Sequence, residues 1–277
     1  MLALSPIAGL FGPAWLDMWT LAFAIFAVLK VGTWLAAGGL RAASWRSAAY
    51  LIAWPGMDAQ TFLHGEGVVP APRLPEWLFG ASKLLLGGGL LYLAIQGLTN
   101  FPLLRAWIGM AGIVFVLHFG LFHLLSCLWR SVGIEAAPIM RWPVLATSLT
   151  DFWSRRWNLA FRDLTHRFVF RPLAARMGGL TALWIGFLIS GLIHDAVVSL
   201  PARGGYGWPT LFFLLQAAGI SLERSRLGRA AGLGRSLRGW AFAALVLVLP
   251  APLLFHQPFR EQIVLPMLDA IGLQGDL

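Results

Sequence analysis

Two residues of this 277-residue chain stand out for the chemistry their neighbours allow: a histidine inside an apolar run and an asparagine set among arginines. His194 lies in GLTALWIGFLISGLIHDAVVSL, residues 179–200. An ionisable group inside a membrane-length apolar run is a functional hypothesis by default. An imidazole that titrates near neutrality can take the proton of an attacking hydroxyl. Back along the same helical face stand Ser190 and Gly186, with Gly191 alongside. Such a small-residue row admits a neighbouring helix or a thin ligand. The bland reading of the segment alone is a packing seam whose histidine bonds a carbonyl. Asp195 is a secondary, orienting candidate, because adjacent residues on a helix point about 100° apart.

The asparagine sits in DFWSRRWNLAFRDLTHRFVFRP, residues 151–172, the most polar and basic run in the chain. Read as one helix, it places Asp151, Arg155, Asn158 and Arg162 on one face. Trp153, Trp157, Ala160 and Leu164 fall on another. A polar ridge beside an aromatic ridge suits a membrane–water boundary, and a surface helix touching lipid phosphate is the bland alternative. Arg155, Arg156 and Arg162 could instead hold the phosphates of coenzyme A, with Trp153 and Trp157 alongside. The Asn158 amide could donate to a developing oxyanion or align the histidine. Base, amide and phosphate-binding arginines together describe acyl transfer to an alcohol. That route needs neither a metal nor a covalent enzyme intermediate, and no GxSxG elbow is present to suggest one.

The elements that must position these residues are membrane helices. Fifty-eight per cent of residues are hydrophobic and only 12% charged, against about 25% charged in a soluble domain. The net charge of +9 is almost all arginine. In a membrane protein this sets topology and meets anionic lipid or substrate rather than nucleic acid. No signal-peptide pattern is expected at the amino terminus. Cys127 is the single cysteine, so no intrachain disulfide forms. His123 and Cys127 share a face at i, i+4 but lack a third ligand, so no metal is expected.

Apolar runs predict spans over 15–37, 83–98, 106–129, 179–200, 208–222 and 239–256, with the tail a further interfacial or spanning segment. Lys30 within the first span could snorkel or face the bundle interior, and snorkelling is the simpler reading. Residues 41–82 read as an interfacial or re-entrant loop in which Asp58, Gln60 and His64 cap turns. The proline-punctuated run Ala136–Leu149 reads as re-entrant. The whole is an all-α polytopic bundle of about 6–8 spans. It is one domain over 1–277, divided as 15–129, 130–177 and 178–277. With the amino terminus outside, seventeen basic loop residues fall inside and three outside. That orientation puts the Asn158 segment in the cytoplasm. Richness in Gly, Ala, Arg and Pro suggests a GC-rich, bacterial genome and hence the inner membrane.

FWSRRWN with Asn158, followed by SGLIHD with His194, resembles the wax synthase branch of the membrane-bound O-acyltransferases. The residues Tyr206, Trp208 and Pro209, the FFLLQ run and the FHQPF…VLPML tail are similar to that branch as well. The resemblance implies a helical bundle around a reaction tunnel. It also implies that His194 is catalytic and Asn158 its partner. The donor would be acyl-coenzyme A as co-substrate, with no resident cofactor, and the acceptor a long-chain or other lipophilic alcohol. An O-acetyltransferase acting on a glycan or small metabolite, and a transporter or membrane scaffold, remain as alternatives.

Overall fold

The computed structural model describes residues 12–273 apart from Glu66 and Val68. The extreme amino terminus, where a signal peptide was sought, lies outside the described residues. Those described are helical, with no strand among them. Helix α1 spans Ala14–Ala36, α2 Ser44–Ala53 and α3 Ala59–His64. Then come α4, Leu74–Gly97, and α5, Pro102–Ser131. A short α6 covers Leu159–Thr165. Helix α7 runs Gly179–Ala202, α8 Trp208–Arg224, α9 Ser236–Leu254 and α10 Leu265–Leu273.

Five of these, α1, α4, α5, α7 and α9, are long and apolar enough to cross a membrane. The run expected as a fifth span is α8, whose 17 residues give about 26 Å at 1.5 Å per residue, just short of a ~30 Å hydrocarbon core. The second span begins nine residues earlier than the apolar run suggested. Pro75 sits in the first turn of α4, where its missing N–H costs nothing. Lys83 therefore lies within a span and leaves the tally of loop charges. Val28, Leu85 and Leu245 stand outward from α1, α4 and α9, as side chains facing hydrocarbon do. In place of the loop expected over 41–82, α2 and α3 precede the start of α4. Asp58 caps α3 by accepting from the Thr61 N–H at 3.2 Å.

Contacts divide the chain into two compact units. One comprises Met1–Phe23, Trp142–Arg155 and Thr165–Leu277; the other comprises Ala24–Arg141 and Arg156–Leu164. In the second, Gly87 of α4 meets α5 so closely that a Cβ there would stand 2.6 Å from the Val116 nitrogen. Gly120 does the same against Leu84. The paired glycines let two helix backbones touch. Lys30 is buried in this unit, bonded to the Gly56 carbonyl and lying 3.3 Å from the Tyr50 ring centroid. It faces inward, contrary to the snorkelling expectation, because a carbonyl and an aromatic face replace the water its ammonium would seek.

In the first unit, Leu149, Ile220 and Ala243 form a core with Trp153, Phe187 and Phe242 packed against it. The buried Glu223 of α8 accepts from the Leu149 N–H at 2.7 Å. Ser148 accepts from the Asp151 N–H at 2.9 Å, and Asp151 accepts from the Thr147 N–H at 3.3 Å. These bonds satisfy the exposed donors of a helix start.

The run 151–172 is not one helix. Its α-helical start passes into a π turn at Phe152–Arg156. The chain then breaks at Asn158, whose φ of 42° is left-handed, and restarts as α6. Asn tolerates that conformation better than most residues. The polar face expected to join Asp151, Arg155, Asn158 and Arg162 therefore does not exist. Neither does the continuous tryptophan ridge.

Candidate active site

His194 ends the α-helical part of α7, and a π turn, Asp195–Ser199, follows at once. Such single turns recur at functional sites. The imidazole Nδ1 lies 2.7 Å from the Ser190 carbonyl oxygen. A carbonyl only accepts, so Nδ1 carries the proton, and the lone pair of the neutral ring sits on Nε2. The ring packs on Phe213 of α8, centroids 4.4 Å apart. One polar atom is thus fixed to backbone and the other is the basic one.

The residues around it divide between chemistry and scaffolding. Ser190 donates its hydroxyl to the Gly186 carbonyl at 2.9 Å. A Cβ on Gly191 would stand 2.6 Å from Thr210 Cα, so this part of the small-residue row is the seam where α7 meets α8. Gly186 has open space beside it. Asp195 does not turn toward the imidazole. Its Oδ1 accepts from the Ser199 hydroxyl at 3.0 Å and the Gly207 N–H at 2.8 Å. Its Oδ2 accepts from the Thr210 N–H at 3.0 Å and from the Thr210 hydroxyl. Asp195 is therefore the cap and clamp of α8. An open depression of about 510 Å³ lies over this joint, lined among others by Leu192, Asp195, Tyr206 and Leu211.

Trp153 belongs to the same unit as His194. Its ring lies 5.6 Å from Phe187 and 5.8 Å from Phe213, the ring that also carries the imidazole. Asn158 and Trp157 belong to the other unit. There the Asn158 Oδ1 accepts from the Phe161 N–H at 3.3 Å, capping α6, and its own N–H meets the Met140 sulfur at 3.2 Å. The cap uses the amide oxygen and leaves the amide nitrogen as a donor. Trp157 packs edge-on to Phe119 at 6.2 Å. Among the three arginines, Arg155 is exposed and Arg156 half-buried. Arg162 pairs with Asp163 at 2.8 Å, which offsets part of its charge.

Two further groups escaped sequence reasoning. His256 is fully buried. Its Nδ1 accepts from the Phe259 N–H at 3.2 Å, so Nε2–H donates to the Ser199 hydroxyl 3.1 Å away. Burial pushes its pKa below the ordinary histidine value; Asp195 opposes the shift and Arg260 adds to it. Its adjacency to Gln257 and Pro258 hinted at a helix start, but Ser199 is 57 residues distant. Glu76, His123 and Cys127 bring one potential ligand atom each within 4.8 Å of one another, so Glu76 supplies the third group that spacing alone lacked. Arg130 already pairs with Glu76, and Lys83 donates to His123 Nδ1 at 2.5 Å. Two side-chain cations thus stand where an ion would.

Residues 136–215 match the model of the membrane bound O-acyl transferase family. That range holds both Asn158 and His194. Over that range the chain is similar to the membrane-bound O-acyltransferases, and the relatives it matches are of the wax synthase kind. Over 143 residues the chain is 34% identical to a probable long-chain-alcohol O-fatty-acyltransferase 2 of Arabidopsis thaliana, covering 48% of this chain and 42% of that one. A second Arabidopsis protein, probable long-chain-alcohol O-fatty-acyltransferase 1, is 31% identical over 164 residues, covering 56% and 47%. The long-chain-alcohol O-fatty-acyltransferase of Simmondsia chinensis is 28% identical over 151 residues, covering 50% and 43%. The chain thus spans about half the length of the curated relatives it matches. Within the matched segment, α7 and the start of α8 carry the imidazole and its clamp.

Proposed function

We propose that the chain is a membrane O-acyltransferase that moves an acyl group from acyl-coenzyme A to the hydroxyl of a long-chain or other lipophilic alcohol. One observation carries the reading. His194 lies in the residues that match the membrane bound O-acyl transferase family, and its Nδ1 bond to Ser190 leaves Nε2 as a base. The alcohol oxygen adds to the thioester carbonyl carbon while His194 Nε2 accepts the hydroxyl proton. The tetrahedral adduct collapses and the carbon–sulfur bond breaks. The departing thiolate takes the proton from the imidazolium, which leaves an ester, free coenzyme A and a neutral histidine.

Asn158 is the second functional residue of this reading, on the strength of the motif. Arg155, Arg156 and Arg162, with Trp153 and Trp157, are the candidates for contact with acyl-coenzyme A. No resident cofactor takes part. The basic residues of the segment between α5 and α7 support an orientation with the Asn158 segment on the cytoplasmic side. Composition supports a bacterial inner membrane.

Membranes carrying the protein are incubated with labelled acyl-coenzyme A and a panel of alcohols. Ester should form with lipophilic alcohols and vanish in His194→Ala. Undiminished ester from His194→Ala removes the mechanism. Product masses showing acetyl rather than long acyl groups would move the reading to an O-acetyltransferase.

A further inference from the structure

Trp153 presents a feature that its packing leaves unexplained. Its indole Nε1 is buried with no hydrogen-bond partner among the described residues. Buried polar groups are almost always hydrogen-bonded, and an exception calls for a reason. The indole is wedged among rings: Phe152 at 5.1 Å, Phe187 at 5.6 Å and Phe213 at 5.8 Å. None of these offers a lone pair, only a π face that accepts weakly. A structural water would need two to four polar partners, and the phenyl rings supply none.

Phe213 also carries His194, at 4.4 Å. Indole and imidazole therefore share Phe213 as a neighbour, and the sum of their distances to Phe213 bounds the separation of their ring centroids. An indole N–H can only donate. The group it awaits must be an acceptor, and it must arrive within reach of a base. The carbonyl oxygen of a thioester meets both conditions.

Building on the acyl-transfer reading above, we propose that Trp153 is a catalytic residue whose indole N–H donates to the thioester carbonyl oxygen. As the alcohol oxygen adds to the carbonyl carbon, the carbonyl π electrons move onto that oxygen, and the Trp153 N–H holds the resulting charge. The alcohol proton passes to His194 Nε2. When the carbonyl re-forms, the carbon–sulfur bond breaks, and the thiolate recovers the proton from the imidazolium. A donor aimed at an oxygen that gains charge only in the transition state raises kcat more than it tightens binding.

The test compares Trp153→Phe, which keeps the ring and loses the N–H, with Phe187→Leu, which loosens the same ring cluster and keeps the N–H. Trp153→Phe should lower kcat on the order of 10²–10³-fold with KM little changed, and Phe187→Leu should fall far less. Trp153→His restores a ring N–H and should recover part of the loss, which keeps the test open if the Phe variant folds poorly. A second readout does not depend on turnover. Acyl-coenzyme A labelled with carbon-13 at the thioester carbonyl is bound to His194→Ala, and its carbonyl stretch is recorded with and without Trp153→Phe. The stretch should move to higher frequency when the N–H is gone.

An unmoved stretch, or equal losses in Trp153→Phe and Phe187→Leu, overturns the Trp153 role and leaves acyl transfer standing. Full activity in His194→Ala, or no bound thioester signal in that variant, overturns the acyl-transfer reading itself.

Discussion

His194 and Asn158 each carry a structural duty beside the chemical one proposed for them, and variants must separate the two. Asn158 caps α6 from a left-handed backbone. Asn158→Ala would remove the cap and strain the backbone together, at about 1–2 kcal/mol for the cap alone. Asn158→Asp keeps a capping oxygen and tolerates the same φ, but loses the amide donor. Turnover in Asn158→Asp should fall while the melting temperature in detergent holds; a variant with normal turnover would leave Asn158 as a cap only. Asp195 gives the opposite contrast. Four donors from Ser199, Gly207 and Thr210 converge on it, and the part-buried ones from Ser199 and Thr210 each lose a bond to a charged group worth about 1.5–3 kcal/mol. Asp195→Ala should melt markedly earlier, and its residual turnover should keep the pH profile of the parent. A shifted profile would mean that Asp195 acts on the imidazole after all.

At the scale of the elements, the α7–α8 seam decides how the small-residue row is read. A methyl group on Gly191 would meet Thr210 Cα at 2.6 Å, whereas Gly186 faces open space. Gly191→Ala should cost about 1–3 kcal/mol through forced separation of the helices. Gly186→Ala, in open space within a helix, should stabilise by up to about 1 kcal/mol, as thermal melting of the two variants in detergent will show. The long helices were legible because apolar length alone defines a span. The α4 start was not, since Pro75 reads as a breaker unless it is placed in a first turn. The helix expected over 151–172 failed for a local reason. Periodicity assumes uniform α geometry, and a π turn followed by a left-handed Asn158 rotates the later residues away from the earlier face. The Trp153–Phe213–His194 cluster and the Glu223 cap on Leu149 join residues far apart in sequence. No spacing rule covers such pairs, so only the fold reveals them.

For the molecule as a whole, part of the acid sensitivity should trace to His256. It is buried, and burial lowers its folded pKa. Below the ordinary histidine value of about 6.5, the unfolded chain therefore binds a proton that the folded chain resists. Stability is complete above that pH and declines as pH falls below it. Melting followed from pH 8 to pH 5 should show the decline, and His256→Asn, which keeps a capping oxygen and an amide donor, should make it shallower. An equally steep decline in His256→Asn would assign the sensitivity elsewhere.

Lys30 bears on how the chain enters the bilayer during synthesis. A lysine within a span opposes insertion by up to about 3 kcal/mol, and the group that receives its ammonium, the Gly56 carbonyl, lies 26 residues later. As it leaves the ribosome, the first helix is therefore a poor solitary insert. It settles into lipid only once the following segment, with Tyr50 and Gly56, has been made and folded back beneath it. Lys30→Leu frees α1 from that wait, so truncated nascent chains ending before Gly56 should integrate with Leu at this position and lag with Lys.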